Sequence, residues 1–244
     1  MLLPSLSPLV VGILVGAVVA NVVEISPSLA PGIAFCARSG LRLGIVLLGL
    51  RLSLGDLADL GASGLIVVAS VVTITFFGTV WLARRMGVGR DLGLLVATGY
   101  SICGASAIAA VDGVIDADEE ETAYAITLVT LFGSLSIIVL PIVAELVGLE
   151  GADFGTWVGG AVHDVGQVVA TATTHGSGSL EAATVVKLTR VVLLAPLVAL
   201  VALSRRSLAI GGQGADGARP PLLPLFVVGF LAAIALRSTG WLSD

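Results

Sequence analysis

The chain has 244 residues, of which 57% are hydrophobic and only 12% charged, with a net charge of −5 and a mean hydropathy of +1.08. A soluble globular domain carries about 25% charged residues, so that class is excluded. Without any lysine- or arginine-rich run a nucleic-acid partner is excluded too, and the two cysteines, Cys36 and Cys103, both in apolar stretches, exclude a disulfide framework and a zinc site.

The apolar residues fall into eight segments, at 8–23, 33–52, 61–83, 92–111, 122–144, 154–173, 182–204 and 222–237. A helix needs about 20 residues to cross the hydrocarbon core of a bilayer, so each is expected to be a span, and residues 1–244 are expected to form a single all-α transmembrane domain. The first segment lacks a positive leader and a small-residue cleavage site, which predicts a retained helix. Arg42 lies within the second segment, with Arg38 four residues before it. Arg84, Arg85 and Arg90 follow the third segment, and Arg205, Arg206 and Arg219 follow the seventh. The positive-inside rule assigns both loops to the cytoplasm, with four crossings between them. By that count the acidic stretch Asp112 to Glu121 and the amino terminus fall outside. The loop at 205–221, rich in Gly and Pro, is expected to be a cytoplasmic connector ahead of the last helix. Trp81, Trp157 and Trp241 fall near segment ends, where an indole ring is stable at headgroup depth. Gly12/Gly16, Gly40/Gly44 and Gly155/Gly159 have the spacing of close helix contacts.

Two segments depart from an ordinary span. In the fourth, Thr98 to Ser106 forms a small and polar cluster near mid-span. Irregular backbone at that depth is tolerated only where protein or a water-filled cavity satisfies its N–H and C=O groups, so a discontinuous helix is expected, its second half starting near Ser101 to Ser106. That N-terminus offers free N–H groups, the positive end of a helix dipole and serine hydroxyls, which suit an anion. The bland alternative is an unbroken helix whose small residues pack on a neighbour. In the sixth segment His163, Asp164 and Gln167 lie near mid-span. An Asp at the centre of a membrane helix costs about 2.5–3.5 kcal/mol on insertion scales, so such a group marks a site unless it neutralises a partner. Lys187 and Arg190, three residues apart in the seventh segment, share a helix face and are candidates both for that partner and for the anion.

At these clusters the sequence resembles the bacterial membrane proteins labelled as a sulfate exporter family, the YeiH-like conserved hypothetical proteins. The resemblance rests on Ser101-Ile102-Cys103-Gly104-Ala105, on the run Val162 to Val169 that contains His163-Asp164-Val165-Gly166-Gln167, on Lys187-Leu188-Thr189-Arg190-Val191 followed by Leu194-Ala195-Pro196, and on Leu41 to Leu52. It implies an inverted-repeat secondary transporter in the plasma membrane, multi-pass, with a pathway between broken helices near the midplane. Family members are usually longer, with a further amino-terminal helix in many and additional hydrophobic helices after the position of Asp244, so a chain shortened at its carboxyl end and an assembly of short chains both stay open.

The expected function is a secondary transporter or exporter of a small inorganic or organic anion, such as sulfate or a related sulfur oxyanion. Ser101, Cys103, Gly104, Ser106, Gln167, Lys187 and Arg190 are the candidate substrate ligands, and His163 and Asp164 the candidate proton-coupling groups. No cofactor or metal is expected, no enzymatic activity, and beyond the lipid bilayer a homo-oligomeric partner is left open. The alternatives are a membrane-embedded enzyme using Cys103 as nucleophile with His163 as base, and a channel or structural membrane protein. Adjacent residues point about 100° apart on a helix, so Asp164 is poorly placed to orient His163 for such an enzyme.

Overall fold

A computed structural model describes residues 60–210 and 225–240 without interruption, residues 26 and 28–50, and isolated positions at 15, 16, 18, 19, 22, 55 and 58. Segment 8–23 as a span, residues 211–221 of the connector and Trp241 lie outside the described residues, whereas residues 205–210, expected as part of the connector, continue the preceding helix. Among the described residues ten α-helices follow in order: α1 (Ala30–Gly49), α2 (Gly61–Arg85), α3 (Arg90–Ser101), α4 (Ala105–Ile115), α5 (Glu119–Val147), α6 (Gly151–Ala161), α7 (Val165–Ala172), α8 (Ser177–Val192), α9 (Leu194–Ile210) and α10 (Leu225–Ser238). No strand occurs among the described residues.

Among the described residues three rods are long and apolar enough to cross a membrane: α2, α5, and α8 with α9 as Ser177–Arg205. At 1.5 Å per residue even the shortest exceeds the hydrocarbon core, about 30 Å thick. Between α8 and α9 the helix is interrupted at Leu193, three residues before Pro196, which has no N–H to return to the Val192 carbonyl. Large apolar side chains on α2 and α5 point outward, including Ile66, Ile74, Leu131, Leu135 and Ile138, as a lipid-facing surface requires.

The fourth and sixth segments do not cross. Both fold back on themselves, which corrects the expectation of eight spans. In the first, Gly99 lies against Ile108, whose Cδ1 is 2.8 Å from a Cβ built on the glycine. Nine residues along one helix axis would separate them by about 13 Å. The feet of the fold also meet, since the Glu121 carboxylate at the start of α5 lies 2.9 Å from the Cβ position of Gly89. α3 and α4 are therefore the two arms of a helical hairpin that enters and leaves at one face. α5 then runs beside α3 in the same direction, with Tyr100 Oη donating to the Leu128 carbonyl at 3.5 Å.

The second hairpin, α6 and α7, enters from the other end of α5. Its feet are joined by Phe154 and His175, whose rings stack with centroids 3.9 Å apart. α6 and α8 run parallel in close contact, because Gly155 and Gly159 carry no side chain. A Cβ at Gly155 would lie 2.1 Å from the Ser179 carbonyl oxygen, and one at Gly159 2.6 Å from that of Ala183. The glycine spacing read from the sequence thus makes a real helix contact here, whereas a Cβ built on Gly40 or Gly44 would meet nothing within 4 Å among the described residues.

Because the first hairpin returns, the acidic stretch Asp112 to Glu121 lies on the same face as Arg90, not opposite it. α5 crosses away from that face and α8–α9 crosses back. The Arg205–Asp91 ion pair closes the circuit, placing the two arginine loops together through two crossings instead of four. Each hairpin replaces one expected crossing, so the parity survives. α10 is too short to count among the long rods. It packs on α1, where Gly49 approaches the Phe230 carbonyl, and Phe230 and Ile234 complete the core formed by the first hairpin and α9.

Candidate functional site

The two hairpin tips, residues 102–104 and 162–164, meet beside the middle of α5. A Cβ on Gly104 would be 3.3 Å from Val129 and 3.6 Å from both the Cβ and the backbone nitrogen of Asp164. Four helix ends therefore converge at mid-depth: the C-termini of α3 and α6 and the N-termini of α4 and α7. Each C-terminus presents unpaired carbonyls and about half a negative charge, each N-terminus unpaired N–H groups and about half a positive one. In a bilayer every such group needs a partner.

Arg190, 1% exposed, serves both C-termini. Its Nε and Nη2 donate to the Ser101 carbonyl at 3.1 and 2.8 Å, and Nη2 also to Tyr100 at 2.9 Å, at the end of α3. Its Nη1 donates to Gly159, Gly160 and Val162 at 3.0, 2.7 and 3.2 Å, at the end of α6. A guanidinium has five N–H donors in a fixed fork, and all of them are engaged. Lys187, also 1% exposed, lies one turn earlier on α8, and its Nζ donates at 2.9 Å to Ile102 on the first tip and at 2.9 Å to Val162 on the second. Expected as anion ligands, both cations instead tie the two hairpins together through backbone carbonyls. The structural alternative, in which Asp164 neutralises them, is not realised: among the described residues no carboxylate is within ion-pair distance of either.

Asp164 has a different partner. It is the N-cap of α7, its Oδ1 accepting from the Gly166 amide at 2.8 Å. Gln167 completes a capping box, its Oε1 accepting from the Asp164 amide at 3.2 Å, and reaches α5 by donating through Nε2 to the Thr130 carbonyl at 3.3 Å and toward Ser134 Oγ at 3.5 Å. The N-terminus of α4 has no equivalent. Its N-cap is Gly104, at φ 71° and ψ −135°, with no side-chain capping bond, a backbone conformation that only glycine adopts readily. Ser106 in the first turn is buried and makes no side-chain hydrogen bond among the described residues. Ser101 Oγ turns back to the Thr98 carbonyl at 3.2 Å, and the Cys103 thiol is buried without a hydrogen bond to His163.

His163 stands in the break itself, not on a helical face with Gln167. Its ring lies 4.4 Å from that of Tyr100, tilted by 60°, and its Nδ1 is buried without a hydrogen-bond partner among the described residues. Both rings and Arg190 line the inner end of a cavity of about 640 Å³ that extends along the first half of α2, past Val67, Val71 and Thr75, and along Thr156 and Trp157 of α6. Tyr100 falls within the polar cluster of the fourth segment but not among its expected ligands, and Gly133 and the α2 wall lie outside every expected site. Gly133 beside Ser134, a small and polar pair in an apolar helix, was the one available signal. Among the described residues no cluster of metal-ligating side chains occurs, and the side chains of Arg38 and Arg42 lie outside them.

The whole chain, residues 1–244, matches the family described as Conserved hypothetical protein 698. It is 43% identical over 240 residues to a UPF0324 membrane protein of Corynebacterium glutamicum, which covers 98% of this chain and 69% of the relative. It is 41% identical over 215 residues to the UPF0324 membrane protein TauZ of Paracoccus pantotrophus, covering 86% and 63%, and 34% identical over 232 residues to a UPF0324 membrane protein of Bacillus cereus, covering 95% and 68%. The chain thus spans about two thirds of the length of these relatives, and under two thirds of the Paracoccus protein. No solved structure matches it. None of these names carries the sulfate label of the resemblance. They, and the full-length match, show that the chain belongs to the family of Conserved hypothetical protein 698, the UPF0324 membrane proteins.

Proposed function

We propose that this chain is the core of a secondary transporter for a small anion, a sulfur oxyanion such as sulfate or sulfite being the first candidate, in the bacterial plasma membrane with the arginine loops in the cytoplasm. Three of the four helix ends at the hairpin junction have a side chain of complementary character: Arg190 and Lys187 at the C-termini of α3 and α6, Asp164 at the N-terminus of α7. The N-terminus of α4 has none. That vacancy carries the proposal, because an N-terminus at mid-membrane depth without a carboxylate is a ready anion site, and Gly104, Ala105 and Ser106 would supply its donors. The orphan Nδ1 of His163 and the adjoining cavity support it by offering a further polar partner and an approach route.

Hairpin α3/α4 followed by α5, and hairpin α6/α7 followed by α8–α9, run in opposite directions. This arrangement supports an inverted-repeat architecture in which the two tips open alternately. In this reading proton coupling resides in the same junction, with His163 exchanging protons with the cavity and Asp164 held as the fixed carboxylate of α7.

The test is charge substitution at the vacant terminus. Ala105→Asp would supply an internal carboxylate to α4, as Asp164 does for α7, and should abolish uptake of labelled sulfate and sulfite into proteoliposomes. Ala105→Asn, of similar size and uncharged, should retain measurable uptake. Equal uptake by the two variants counts against the α4 terminus as the site, and no uptake by the wild-type protein counts against transport of these anions.

A further inference from the structure

Eleven of the twelve basic residues in this chain are arginine. The single lysine is Lys187, buried at the junction of the two hairpin tips. The two cations at the junction differ in how their donors are used. Arg190, which keeps its proton in proteins, has an acceptor for every N–H. Among the described residues Lys187 has two acceptors, Ile102 and Val162, which an ammonium and a neutral amine can both serve. Lys187 and Arg190 lie three residues apart on one helix, and among the described residues neither has a carboxylate within ion-pair distance, a like-charge pairing that favours the loss of one proton. A lysine can release its proton where an arginine cannot.

We propose that Lys187 carries the proton that moves with the anion. With the anion site empty, the amine joins the two tips through two N–H groups. When an anion arrives beside the α4 terminus, the amine lone pair takes up one proton from the water on the side from which the anion came, and the ammonium so formed gains the third donor and the charge that the anion balances. Departure of the anion returns the proton, one for each anion. The groups that face Lys187 electrically are Arg190 on its own helix, Cys103 on the first hairpin, and His163 and Asp164 on the second. α2 and α5 contribute none. Arg190 and Asp164 keep fixed roles, on the carbonyls and on the α7 cap, and His163 passes protons between the cavity and the junction, so Lys187 is the group beside the anion whose charge follows it. The inference rests on the anion-transport reading but is separable from it.

Since the chain has one lysine, lysine labelled with ¹⁵N gives a single side-chain resonance from the full chain in lipid bilayers. At neutral pH without added anion the Nζ signal should be that of an amine, and sulfate or sulfite should convert it to an ammonium signal. An ammonium in the anion-free protein at neutral pH overturns the proposal, whatever the substrate. In proteoliposomes, Lys187→Arg, permanently charged, should exchange labelled anion across the membrane while losing all stimulation by a pH gradient. Lys187→Met, close in size and without a proton, should lose both while eluting as a folded protein on gel filtration. Gradient-stimulated uptake retained in Lys187→Met overturns the proposal. A wild-type protein that moves neither anion would count against the transport reading, while the resonance still decides the state of Lys187.

Discussion

Phe154 and His175 stack face to face, 3.9 Å between ring centroids, although 20 residues separate them. A continuous helix over that stretch would hold them about 30 Å apart, one at each side of the bilayer. Their contact is what makes α6 and α7 a hairpin. Replacing Cys36 and Cys103 by serine and introducing Phe154→Cys with His175→Cys should allow rapid intramolecular crosslinking by a short bifunctional thiol reagent, detected as a mobility shift or by mass spectrometry. No crosslink in a protein that binds the reagent at each site singly would restore the crossing helix.

The first hairpin makes a topological prediction of its own. Single cysteines at Arg84 and Asp118 should react with a membrane-impermeant maleimide from the same side, and one at Glu150 from the other. Eight simple crossings would put Arg84 and Asp118 on opposite sides, so one labelling experiment on intact cells and inverted vesicles separates the two arrangements.

The long helices were legible because an apolar run is a local property. Gly61–Arg85 and Glu119–Val147 lie within a few residues of the expected segments. The polar interruptions at Ser101 to Ser106 and His163 to Gln167 were equally visible, and both do mark breaks in the helix. What the pattern could not convey is direction. A three-residue break has the same composition whether the chain continues across the bilayer or turns back, and the choice depends on contacts such as Gly99 with Ile108 and Gly89 with Glu121 that are remote from it. The roles of Lys187 and Arg190 were hidden for a similar reason. A buried cation invites a search for a carboxylate or a ligand anion, while the partners here are main-chain carbonyls, which every residue possesses and no sequence pattern distinguishes.

Arg190 should therefore behave first as a structural residue. Arg190→Met leaves the carbonyls of Tyr100, Ser101, Gly159 and Gly160 without their donors. Each buried polar group left unsatisfied costs about 1–3 kcal/mol, though relaxation and water entry reduce the sum, and removing one member of a buried charged network typically costs about 3–5 kcal/mol. The expected result is a large fall in thermal stability in detergent, with the proposed anion uptake lost in proportion to folded protein. Arg190→Lys keeps the charge but offers three donors to carbonyls that now receive five, and should recover only part of the loss. A stable Arg190→Met protein with weakened anion affinity alone would return the residue to the substrate site.

Gly133 offers the sharpest test of how the second hairpin is fixed to α5. A Cβ at this position would lie 2.0 Å from Oε1 of Gln167 and 2.6 Å from its Cδ, an overlap that the Gln167 side chain must leave to relieve. Its departure breaks the bonds to Thr130 and the Asp164 amide and hence half of the capping box, while the Asp164 to Gly166 bond remains. Loss of a helix N-cap costs about 0.5–2 kcal/mol, and Gly133→Ala should fall in that range. Gln167→Ala alone removes the same bonds without the overlap. Combined with Gly133→Ala it should be no worse than either single change, because the added methyl then occupies the space the amide vacated. Additive losses in the double variant, measured by thermal unfolding in detergent, would mean that Gly133 and Gln167 act independently and that the tip of the second hairpin is held by Lys187 and Arg190 alone.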